Sequence, residues 1–144
     1  MAITDRSQRA SGAPDVRRIA MLVAGDLVVF NIITAIGLAS HGELTGLGAL
    51  GQMAEIATPF AIGWFAVAPF AGAFRSDITS QPRRILARTA LAWLIALPIG
   101  LFLWSVIRQR QVVPAFAVVT FITNLIAMLG WRGIYALLTG RLRS

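Results

Sequence analysis

No cysteine occurs in the 144 residues, so disulfides, thiolate metal sites, iron–sulfur clusters and a cysteine nucleophile have no ligands or donors within the chain. Histidine occurs once, which leaves a multi-histidine zinc or di-haem site without enough ligands from one copy. Charge is scarce: 13% of residues are charged, about half the share of a soluble domain. Lysine is absent, so all thirteen basic residues are arginines, set against six acids for a net charge of +7. Hydrophobic residues make up 57%. That balance excludes a disordered chain and argues against a water-soluble globule.

What is present is a series of long apolar runs. They span about 19–40, 56–74, 85–107 and 112–138. Each is long enough to cross a hydrocarbon core of ~30 Å as a helix, and none shows the ~10-residue alternation of a barrel strand. The predicted fold class is all-α, a bundle of four transmembrane helices. Residues 1–18 form a predicted flexible cytoplasmic tail and 139–144 a second tail, with loops at 41–55, 75–84 and 108–111. The first run is longer than the 7–15 residues of a signal-peptide core and carries Asp26, which favours a spanning segment over a cleaved leader. No internal repeat relates the first two runs to the last two.

The arginines gather at the ends of the runs. Arg6, Arg9, Arg17, Arg18, Arg75, Arg83, Arg84, Arg88, Arg132, Arg141 and Arg143 fall on one side, and Arg108 and Arg110 on the other. By the positive-inside rule both termini lie in the cytoplasm and the protein sits in the inner membrane. An end-clustered layout is that of membrane flanks; a nucleic-acid partner is not expected.

Asp26 stands out because it lies about 10 Å inside the first run at 1.5 Å per residue. A carboxylate at that depth has to be paired, protonated or beside water. Arg132 in the fourth run and Arg88 in the third approach the same leaflet, so the expectation is a charge cluster of Asp26, Arg88 and Arg132. It reads either as a structural ion pair or as a proton or cation site, the arginines alternatively snorkelling to headgroups. At the outer end of the first run, His41 and Glu43 form a candidate polar site, with an interfacial cap as the plainer reading. Pro59 and Pro98 are candidate kinks. Trp64 and Trp93 are candidate core or cavity-wall residues, and Trp104 and Trp131 candidate belt anchors. Asn31, Asn124 and nearby threonines are expected to hydrogen-bond across helices, and Ala68 with Gly72 to offer a close-contact face in the second. The glycine-rich segment 44–52 lacks a phosphate-loop pattern.

Taken in order, Gly25-Asp26, Ser40-His41-Gly42-Glu43, Pro59-Phe60 with Trp64, Arg88 and Pro98, and Gly130-Trp131-Arg132 resemble the bacterial domain-of-unknown-function 3054 family over about 19–138. The resemblance implies a small four-helix membrane protein and carries over no activity, catalytic residue or cofactor. The reading favoured is a non-enzymatic structural or accessory membrane subunit, with the lipid bilayer as partner and a homo-oligomer or larger membrane complex as its setting. A small oligomeric transporter or channel using Asp26 is the alternative, and a lipid-, quinone- or pigment-binding protein a further one.

Overall fold

A computed structural model describes residues 15–141; most of the expected N-terminal cytoplasmic tail (1–14, with Arg6 and Arg9) and the end of the C-terminal one (142–144, with Arg143) lie outside them. All regular structure among the described residues is helical: α1 (Val16–Ser40), α2 (Gly48–Val67), the short α3 (Ser76–Thr79), α4 (Pro82–Arg108) and α5 (Pro114–Arg141).

Helix boundaries follow local chemistry. The Asp15 side chain accepts a hydrogen bond from the Arg18 backbone N–H at 3.2 Å and caps α1, so the helix begins within the expected tail. Gly42, at φ +71°, closes the other end: its N–H donates to Ala39 O (3.1 Å) and that of Glu43 to Leu38 O (2.9 Å), the pairing of a Schellman cap. Pro82 and Pro114 open α4 and α5, where a missing N–H costs nothing.

The second helix differs from the expected 56–74. It starts at Gly48, taking in Gln52 and Glu55, and ends at Val67. Pro69 cannot continue the hydrogen-bond ladder, and Gly72 (φ +76°) turns the chain, with Ala73 N–H donating to Ala68 O at 2.9 Å. Ala68 and Gly72 therefore do not form a helical contact face. Three helices, α1, α4 and α5, are long and apolar enough to cross a membrane, not four; α2 gives up the seven apolar-run residues 68–74 and takes in 48–55, which include Gln52 and Glu55.

The long helices alternate in direction. Glu55 near the start of α2 meets Arg108 at the end of α4 (2.7 Å), and Asp26 early in α1 meets Arg132 late in α5. The helices α2 and α4 approach each other backbone to backbone. A Cβ at Gly63 would lie 2.7 Å from Ala96 O, and one at Gly100 would lie 2.7 Å from the Phe60 ring. The core holds Phe30, Phe60, Trp64, Trp93 and Met128, with Phe30 and Trp93 ring centroids 5.7 Å apart. A smaller cluster of Leu22, Ile78, Ile85, Tyr135 and Ala136 fills the end where α3 packs. Outward faces stay apolar, as at Val28 and Ile32 on α1, Leu94 and Phe102 on α4, and Ile122 and Ile126 on α5.

Candidate functional site

Arg18, Leu22, Asp26 and Phe30 recur every four residues, so they lie on one face of α1, and Leu22, Asp26 and Phe30 are buried. The same spacing on α5 places Met128, Arg132 and Ala136 inward, and on α2 Phe60 and Trp64. Three helices therefore deliver an acid, a guanidinium and an indole to one point. Arg132 Nε donates to Asp26 Oδ1 at 3.1 Å and Nη2 to Oδ2 at 2.5 Å, a two-pronged pair. Trp64 Nε1 donates to Oδ2 at 2.9 Å. The third arginine nitrogen, Nη1, donates to the carbonyl of Ala73 at 2.7 Å. Both charged side chains are 0% exposed.

The guanidinium carbon lies 5.0 Å from the Trp64 ring centre and 4.8 Å from that of Phe74, within cation–π range of both. Trp64 thus serves Arg132 with its face and Asp26 with its N–H. Beside the pair, the Trp131 ring lies against Gly25, where any side chain would overlap it. The result is a desolvated ion pair in which each carboxylate oxygen and each guanidinium nitrogen has a partner. Its chemistry is that of a lock: removing either charge would strand the other away from water.

A second arginine supports the same turn. Arg18 Nη1 donates to Phe74 O at 2.6 Å and to Thr79 Oγ1 at 3.0 Å. Arg132 from α5 and Arg18 from α1 therefore hold the consecutive carbonyls of Ala73 and Phe74. Arg18 belonged to the expected tail; its signal in the sequence was its four-residue phase with Leu22 and Asp26.

Arg88 does not join the cluster. It is exposed and makes no hydrogen bond or ion pair among the described residues. The buried stripe of α4 runs through Ile85, Thr89, Ala92, Trp93 and Ala96, and at 100° per residue Arg88 falls roughly a quarter turn to one side. His41 and Glu43 are both exposed, and Glu43 instead accepts from Gln52 Nε2 at 2.7 Å, so they are not drawn into one site. Trp64 and Trp93 are packed core, their rings 6.5 Å apart, and Trp93 Nε1 donates across to Phe121 O at 3.1 Å. Pro59 is buried inside α2, whereas Pro98 is exposed on α4. Asn31 and Asn124 bond back along their own helices, to Leu27 O and Thr120 O, rather than across. Trp131 turns inward instead of serving as a belt anchor, while Trp104 packs at a tilt against Phe116, their ring centroids 4.6 Å apart. Glu55, read as a loop acid, is helical and paired with Arg108.

Outside the long helices, Arg75 and Asp77 form an exposed pair at 3.1 Å. The Arg75 hydrogen bond holds the Asp77 carboxyl below the usual carboxylate range. No group of three or more metal-ligating side chains occurs among the described residues.

Residues 23–135 match the DUF3054 family, described as proteins of unknown function, and the chain belongs to that family. The matched segment contains Asp26, Trp64 and Arg132. No curated protein and no solved structure matches the chain.

Proposed function

We propose that this is a non-enzymatic, structural or accessory subunit of the cytoplasmic membrane, embedded as a four-helix bundle with both termini inside. The observation that carries the reading is the closed state of Asp26. Its two oxygens accept three hydrogen bonds from Arg132 and Trp64 within a fully buried site. A carboxylate that carries protons or cations needs a lone pair facing water or cargo. Here the lone pairs face a guanidinium and an indole, which favours a fixed structural pair.

The placement of the helices supports the rest. α1, α4 and α5 have the length and composition to span. α2 packs against α4 through Gly63 and Gly100, which lets it cross in protein company, with Gln52 and Glu55 near the end that Arg108 occupies. Alternating directions put Arg17, Arg18, Arg75, Arg83, Arg84 and Arg88 at one end of the bundle and Arg108 and Arg110 at the other, the asymmetry expected of a cytoplasmic and an outer face. Apolar outward faces such as Ile122 and Ile126 suit lipid or neighbouring helices.

The test is co-purification of the tagged full-length protein from membranes in mild detergent, paired with ion-flux assays on proteoliposomes. A reproducible larger assembly, with fluxes equal to those of empty liposomes, is the expected result. Charge movement that Asp26→Asn abolishes would overturn the structural reading in favour of transport.

A further inference from the structure

A cavity of about 180 Å³ opens beside the two-arginine turn, lined by Asp15, Arg18, Ser76, Thr79, Ser80, Tyr135 and Thr139. It lies where the start of α1, α3 and the end of α5 meet, at the arginine-rich end of the bundle. The lining is unlike the apolar faces around it: one guanidinium, one carboxylate and five hydroxyls, in a chain with 13% charged residues. Arg18 is fixed there by its Nη1 bonds to Phe74 O and Thr79 Oγ1, and its Nε is buried without an acceptor. Asp15 uses Oδ1 to cap α1.

We infer that this cavity binds the headgroup of an amine-bearing phospholipid, the phosphodiester at Arg18 and the hydroxyls and the ammonium at Asp15. The inference rests on the membrane reading above, which sets this end of the bundle at headgroup depth. Arginine matches a phosphate with paired N–H donors, and the Ser76 and Thr79 hydroxyls add O–H donors to its oxygens, while those of Ser80 and Thr139 donate to carbonyls of their own segments. A purely anionic headgroup would leave Asp15 facing like charge, whereas a zwitterionic one satisfies both residues. Sequence alone hid the site because Asp15 and Arg18 sit 58 or more residues from every other lining residue.

The test uses full-length protein in lauryl maltoside, stripped of lipid. It is titrated with phosphatidylethanolamine, phosphatidylglycerol or water-soluble glycerophosphoethanolamine, and binding is read by native mass spectrometry and thermal unfolding. Phosphatidylethanolamine should bind more tightly than phosphatidylglycerol. Arg18→Gln should weaken it by about tenfold or more, the scale of one lost charge-assisted hydrogen bond. Asp15→Asn keeps a good helix cap and should erase the preference between the two lipids. Because Arg18→Gln also releases Phe74 and Thr79, Ser80→Leu provides a second variant that fills the cavity and leaves those bonds in place; it too should lose the lipid. Binding of glycerophosphoethanolamine as tight as that of the lipid would uphold the same chemistry with a soluble source. Equal lipid binding by wild type, Arg18→Gln and Ser80→Leu, or none by wild type, would overturn the site. A protein that stays dispersed without detergent would instead defeat the membrane reading, and the soluble titration would still test the cavity.

Discussion

Asp26 and Arg132 owe their energetics to what each would become alone. Paired, they are a neutral unit with every strong hydrogen-bonding atom engaged. Alone, either is a charge without water. Asp26→Ala should therefore destabilise the protein in detergent by roughly 3–5 kcal/mol, the cost of breaking a buried pair. Asp26→Ala combined with Arg132→Ala should recover part of that loss, measured as a coupling energy in a double-mutant cycle of thermal or denaturant unfolding. Strictly additive losses would rule out the pairing. Two features of this site were legible in the sequence: an acid inside an apolar run demands a cation, and Arg132 stood at matching depth. Trp64 as a third partner was not, because an indole in a membrane helix is equally at home as core or interfacial anchor. Arg88 was misjudged because depth along a helix says nothing of azimuth, and its phase points it away from the pair.

At the scale of elements, the α2–α4 contact depends on the absence of side chains. At Gly63 a Cβ would meet backbone, Ala96 O at 2.7 Å and Gly100 N at 3.0 Å, and backbone of two packed helices cannot step aside. Gly63→Val should cost about 1–3 kcal/mol or more through overpacking. Gly37→Ala in α1, where nothing lies within 4 Å of the added atom, should instead be neutral or stabilising by about 0.5–1 kcal/mol. Thermal unfolding of both variants in one detergent checks the contrast. Hydropathy located α1, α4 and α5 well, since their apolar runs and their helices nearly coincide. It displaced α2 because helicity and apolarity part company there. Gln52 and Glu55 are good helix formers that lower the hydropathy, while Pro69, Phe70 and Phe74 are apolar residues in a turn set by proline and Gly72.

For the molecule as a whole, orientation is the property most open to a direct check, because a cysteine-free chain accepts single reporter cysteines without background. Leu47 is 94% exposed between α1 and α2, Arg110 lies in the α4–α5 connection, and Gln81 is exposed at the opposite end. Leu47→Cys and Arg110→Cys are expected to react with an impermeant maleimide on intact cells, and Gln81→Cys only after lysis. The reverse pattern would invert the topology. That the chain is all-helical was readable from apolar run lengths; the expected four spanning segments were not matched, since three helices have the length and apolarity to cross a membrane. The arrangement that ties it together, two arginines from opposite ends of the chain gripping neighbouring carbonyls of one turn, was not readable, since backbone acceptors leave no trace in a sequence.

The 106 residues between Asp26 and Arg132 also impose an order in time. At ribosomal speeds of about 5–20 residues per second, the first helix exists for roughly 5–20 s before its arginine has even been synthesised. Trp64 comes sooner, only 38 residues behind the acid, and is the earliest donor to reach it. A nascent chain halted before α5 thus carries the Asp26 carboxylate without its guanidinium, a distinguishing mark of unfinished copies that completed ones have already hidden.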